Sequence, residues 1–165
     1  MTRISIRSVL TGALALLPAI VLAQTPDKPA APDNPAIQSS PGPVQYFSHD
    51  AVKAGFAKGG PLLETPGYKV LASRRDRDGI AEVHARDTDV IYVLEGTATL
   101  VTGGRVENGK TTAPDEIRGD SIVGGDVKPL VAGEVVVIPN GVPHLFKDVK
   151  APFLYFVVKA TAPRP

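Results

Sequence analysis

The chain has no cysteine among its 165 residues. No disulfide can hold it, even in an oxidising compartment that would permit one. Its stability must come from a packed core, helped by a metal or a subunit interface. Charge of one sign is also missing, with 18 basic against 17 acidic residues and no basic stripe. That balance argues against nucleic-acid binding. No apolar run reaches the roughly 20 residues that span a bilayer. Past residue 60 no stretch carries the period of a long amphipathic helix, and no internal repeat is present.

What is present begins with a leader-like segment. Arg3 and Arg7 are the only charges in the first 23 residues, and an apolar run of 15 residues, Val9 to Ala23, follows with Pro18 inside it. Val21 and Ala23 stand at the −3 and −1 positions of a cleavage site. This predicts a secretory signal over residues 1–23 and an exported protein, periplasmic or extracellular. Cleavage would leave 16 basic against 17 acidic residues, a net charge of −1, and no membrane segment. Residues 24–44 hold six prolines among Ala, Asp and Ser. They predict an extended, mobile tether. The globular domain then spans 45–165.

Within that domain Ser48 is positioned to cap a short helix through Ala57, stopped by Gly59-Gly60. Beyond Pro66 the pattern is β. Predicted strands are Tyr68–Arg74, Ile80–Ala85, Val90–Leu94, Thr97–Thr102, Ser121–Val123, Val127–Val131, Glu134–Ile138, His144–Lys147 and Phe153–Lys159. Asp78-Gly79 reads as a hairpin turn, and Gly96 as a break between two strands. Many short strands with Gly and Pro turns indicate an all-β sandwich or barrel. Gly104–Thr111 fits the phosphate-loop expression, but Thr112, Ala113 and Pro114 follow where a helix would be required. Asn108-Gly109 reads instead as a hairpin tip. Residues 104–130, with Lys110, Asp115, Glu116 and Arg118, read as a surface hairpin of balanced charge, in preference to a loop over a barrel mouth with Lys110 or Arg118 steering an anionic substrate. The cluster Arg74, Arg75, Asp76, Arg77, Asp78 reads as a solvated turn. Tyr92 is read as packed on the sheet, and His49 as a surface residue.

Two segments carry the chemistry. Glu82 to Gly96 reads EVHARDTDVIYVLEG, and Gly133 to Asp148 reads GEVVVIPNGVPHLFKD. Two of the three histidines lie in them. Residues two apart on a strand share a face, so Glu82 and His84 project together. Antiparallel neighbours would set Asp89 beside His84, and the Pro139–Pro143 connection re-aims the chain before His144. Two imidazoles and one or two carboxylates suit a divalent first-row ion, Mn, Fe or Zn.

The same residues resemble the two motifs of the cupin superfamily. The first motif runs His-x-His, three or four residues, Glu, six residues, Gly. Here it stands as Glu82-x-His84, four residues, Asp89, six residues, Gly96. The second runs Gly, five residues, Pro-x-Gly, two residues, His, three residues, Asn. Here Gly133, Pro139, Gly141 and His144 keep that spacing, with Asp148 in place of Asn. The resemblance implies a double-stranded β-helix, a jelly-roll barrel preceded by a short helix. It implies a metal held by Glu82, His84, Asp89 and His144, with Glu82 as fourth ligand or catalytic base. It further implies a small polar organic substrate, oxygenase or isomerase chemistry, and a homodimer. The alternative is a non-catalytic barrel that binds a small molecule or sugar.

Overall fold

A computed structural model describes residues 42–164. The expected signal over 1–23 and nearly all of the 24–44 tether lie outside those residues. Among the described residues there are one helix and eleven strands. The helix, α1 (His49–Lys58), starts where Ser48 accepts the Ala51 N–H on its hydroxyl at 3.2 Å. Asp50 in its first turn and Lys58 in its last suit the helix dipole. Its Phe56 meets Phe156 at 4.9 Å between ring centroids.

The strands are β1 (Gly60–Glu64), β2 (Tyr68–Arg75), β3 (Ala81–His84), β4 (Asp87–Thr102), β5 (Arg105–Glu107) and β6 (Lys110–Ala113), then β7 (Glu116–Gly119), β8 (Ser121–Val123), β9 (Asp126–Val131), β10 (Val135–Ile138) and β11 (His144–Thr161). Nine of them form one continuous sheet. Its main path runs β1-β2-β11-β3-β7-β6, and β4 joins β11, β9 and β10. β5 and β8 pair separately. The sheet curls because β4 and β11 are long, bend, and pair antiparallel along both halves. The register runs from His144↔Thr102 at one end to Thr161↔Asp87 at the other, with shifts between Lys147 and Tyr155.

This corrects the expected break at Gly96. The strand runs through it, and Gly96 supplies the bend with φ 79°. A Cβ there would lie 2.4 Å from the Pro152 carbonyl oxygen, so only glycine lets the two strands approach. Likewise His144–Lys147 and Phe153–Lys159 are parts of the one strand β11.

Two turn expectations also change. Asp78-Gly79 is not a hairpin, because β2 pairs with β1 and β11 whereas β3 pairs with β11 and β7. Asp78 instead accepts the Val149 N–H at 2.9 Å, and Gly79 donates to the Phe146 carbonyl at 2.9 Å. Asn108-Gly109 does turn the chain, with Asn108 at φ 51°, but it links β5 to β6, which pair elsewhere.

The strand period sorts side chains. On β4, Asp87, Asp89, Ile91 and Val93 point inward, whereas Val90, Tyr92 and Leu94 point outward. The core joins Ile91, Val93 and Leu100 to Leu130, Ile138, Phe146, Phe153, Tyr155 and Val157. Two carboxylates and His84 and His144 are buried beside it.

Candidate functional site

The two motif segments meet because the Pro139–Pro143 connection folds back on β3. Gly141 donates its N–H to the His84 carbonyl at 2.8 Å, and the Asn140 amide donates to the Ala85 carbonyl at 3.1 Å. His144 then begins β11 directly opposite Glu82. Asp89 arrives from β4, which does not pair with β3 as the sequence suggested; β11 lies between them in the sheet.

The imidazoles are oriented from behind. His84 Nδ1 lies 2.8 Å from Glu116 Oε1, and His144 Nδ1 lies 3.2 Å from the Val142 carbonyl. A carboxylate and a carbonyl only accept, so each Nδ1 carries the hydrogen, and in the neutral ring each Nε2 presents a lone pair. Glu82, His84 and His144 offer ligand atoms that all lie within 4.8 Å of one another. His84 Nε2 is buried with no hydrogen-bond partner among the described residues. It faces Asp89 Oδ2 at 3.5 Å and Glu82 Oε2 at 3.9 Å. A lone pair facing two carboxylate oxygens is repulsive unless a proton or a metal cation stands between them. Ligand atoms on one ion, each bonded at about 2.1 Å, sit roughly 3.0–3.4 Å apart. Small rotations would close these gaps, so the donor set fits a divalent ion.

Asp89 has a partner that the sequence did not indicate. Lys159 Nζ donates to both of its oxygens, at 2.7 and 2.8 Å. Asp89 Oδ2 still lies 4.0 Å from His144 Nε2, so it borders the cluster with its charge already answered. Glu82 spans two neighbours: Oε2 faces His84, and Oε1 lies 3.8 Å from Arg118. The cluster opens on a cavity of about 220 Å³ that Arg75, Tyr155 and Lys159 also line.

Burial holds the His144 imidazole below its ordinary value of 6.5, and neighbouring His84 pushes the same way against the Val142 carbonyl and the two carboxylates. The neutral ring is the ligating form. The unfolded chain therefore takes up a proton here at a higher pH than the folded protein does. Stability present above about pH 6.5 should fall as pH drops toward the lower folded value. Urea unfolding of chelator-treated protein between pH 7.5 and 5 should show this fall, and His144→Gln should flatten it. Identical profiles would remove His144 as its source.

No family profile and no curated protein matches the sequence. Solved structures do. BH2720 from Bacillus halodurans superposes with a TM-score of 0.53 at 17% identity, covering 75% of this chain and 86% of its own. A conserved protein with a double-stranded β-helix domain from Klebsiella pneumoniae gives 0.45 at 19% identity, over 64% and 72%. A Cupin 2 conserved barrel domain protein from Salinispora arenicola gives 0.44 at 17% identity, over 63% and 75%. The curled sheet is that of a double-stranded β-helix barrel. At these identities the likeness is one of fold.

The barrel also gathers residues that the sequence left outside the site. Glu116 and Arg118, expected on a surface hairpin, enter the cavity on β7, which pairs with β3 residue for residue from His84↔Glu116 to Ala81↔Gly119. Arg75, expected in a solvated turn, is the last inward residue of β2. Lys159 continues the inward alternation of Phe153, Tyr155 and Val157. That period was the available signal for a charged side chain inside the barrel. Lys110 borders an open surface groove instead, and no helix follows the Gly104–Thr111 segment, which bears out its rejection as a phosphate loop.

Proposed function

We propose that this cupin is an exported metalloprotein that binds one divalent ion, Mn, Fe or Zn, through His84, His144 and Glu82 and acts on a small polar organic molecule. The carrying observation is the buried, unpartnered Nε2 of His84, aimed with His144 and Glu82 at one point. A bound ion would polarise ligand oxygen atoms as a Lewis acid, or support oxygen chemistry if it is iron. Glu116 and the Val142 carbonyl hold both rings in the ligating tautomer. Glu82 binds through Oε2, and its Oε1 is placed to take a proton from a ligand hydroxyl. Asp89 and Lys159 form the adjacent wall. Residues 1–23 serve as the signal and 24–44 as the tether of the 45–165 barrel. Untagged protein should carry stoichiometric metal and turn over members of a panel of diols, catechols and sugar acids. Bound metal without turnover would convert this reading into the second one, a binding module. That second reading is favoured by the Lys159–Asp89 pair, which already places a cation at the cluster. Absence of metal would end the first reading.

The outer face of the sheet supports a homodimer. Leu63, Val70, Val158, Val90 and Val137 are cross-strand neighbours along one row over five strands. Val90, Tyr92, Val135, Val137 and Val158 are each more than a third exposed. An uncharged apolar face is its own complement under two-fold symmetry, so its partner is a second copy. Val137→Glu should convert a dimer to a monomer in light scattering, and a wild type that is monomeric at micromolar concentration would refute the pairing.

A further inference from the structure

Three cations line the cavity, and they are not alike. Lys159 is bonded to Asp89 at 2.7 Å, and Arg118 lies 3.8 Å from Glu82. Arg75 has no ion-pair partner among the described residues, yet it is held on three sides. Its Nε donates to the Tyr155 hydroxyl at 2.8 Å. Its guanidinium carbon lies 4.8 Å from the Phe146 ring centroid, a cation–π arrangement. Its Nη1 packs on Gly79, where a Cβ would come within 2.6 Å. A fixed guanidinium with free N–H groups and no anion is preorganised for a carboxylate, which it can meet with two parallel hydrogen bonds.

The charge balance points the same way. With neutral histidines, Arg75, Arg118 and Lys159 offset Glu82, Asp89 and Glu116 within the cavity lining. A divalent ion would leave that space doubly positive, and an anionic ligand offsets part or all of that charge. The cavity of about 220 Å³ matches roughly seven waters at ~30 Å³ each, so the ligand is small. We infer that Arg75 is the anion-recognising residue of the barrel and that its ligand is a small aliphatic carboxylate bearing a hydroxyl or keto oxygen. This rests on the reading of the cavity as a metal-dependent small-molecule site: the oxygen faces the ion's corner and the carboxylate faces Arg75.

Calorimetric titration of Mn(II)-loaded protein with glycolate, malate and pyruvate, against uncharged glycolamide, tests it. The carboxylates should bind at least about 10-fold more tightly than glycolamide. Arg75→Met should weaken carboxylate binding about 10- to 100-fold while glycolamide binding and Mn(II) content stay as in the wild type. Arg75→Lys keeps the charge but not the fork, and should lose less; it serves as the test if the Met variant does not fold. Equal affinity for glycolate and glycolamide overturns the inference, as does wild-type carboxylate affinity in both variants. Failure of the metal reading is separate, since it shows as no Mn(II) uptake. The same titrations on metal-free protein then decide the Arg75 site: carboxylate binding that depends on Arg75 supports it, and no carboxylate binding overturns it.

Discussion

His144→Ala protein, purified without a polyhistidine tag, is expected to contain no stoichiometric divalent metal where the wild type contains about one ion per chain. The substitution removes one of three donors that lie within 4.8 Å of one another, and no other described histidine stands near to replace it. His84 and Glu82 alone leave a two-ligand site. Loss of a supporting residue behind a ligand typically costs 10- to 100-fold in metal affinity, and loss of the ligand itself should exceed about 100-fold. Glu116→Gln supplies the comparison. It keeps an acceptor for His84 Nδ1–H but removes the charge, so affinity should fall about 10- to 100-fold without disappearing. Elemental analysis of the three proteins, with Mn(II) titration followed by thermal unfolding, gives the ranking. A wild type without metal, or a His144→Ala protein with the same content, would rule out the proposed centre.

The sequence makes some of this legible because certain constraints are local. The Pro139–Pro143 connection places His144 through turn chemistry that a few residues encode, and Gly141 at φ 81° closes it. Strand alternation put Glu82 and His84 on one face. Pairing is different, because it depends on which distant strand arrives first. Asp78-Gly79 carries every mark of a hairpin turn, yet its partners are Val149 and Phe146, about 70 residues away. Glu116 reaches His84 across 32 residues and Lys159 reaches Asp89 across 70, and no motif spacing encodes either contact. Arg74 and Arg75 show how narrow the margin is. Their side chains point to opposite faces, so Arg74 pairs with Asp76 in solvent while Arg75 enters the barrel. Ending the expected strand one residue early hid the inward one.

Lys159→Met is expected to destabilise the metal-free protein by about 3–5 kcal/mol, the range for removing one partner of a buried ion pair. Lys159 donates to both oxygens of Asp89, whose side chain is only 6% exposed. The variant leaves that carboxylate facing the lone pairs of His84 and His144 at 3.5 and 4.0 Å. It also frees Asp89 to turn toward an ion at the cluster, as the cupin resemblance first implied. A divalent ion should therefore recover more stability in Lys159→Met than it adds to the wild type. Each tenfold gain in its affinity contributes about 1.4 kcal/mol at saturating metal. Urea unfolding with chelator and with excess Mn(II) measures both quantities. The Asp89→Asn, Lys159→Met double variant separates charge from packing. It removes both members of the pair, so it should regain much of the stability lost in chelator and show no enhanced response to Mn(II). If the double variant responds to Mn(II) as strongly as Lys159→Met, Asp89 is a wall of the cavity and not a ligand held in reserve. If it does not, Lys159 is what keeps a second carboxylate off the ion, and one strand position on β11 sets the composition of the metal shell.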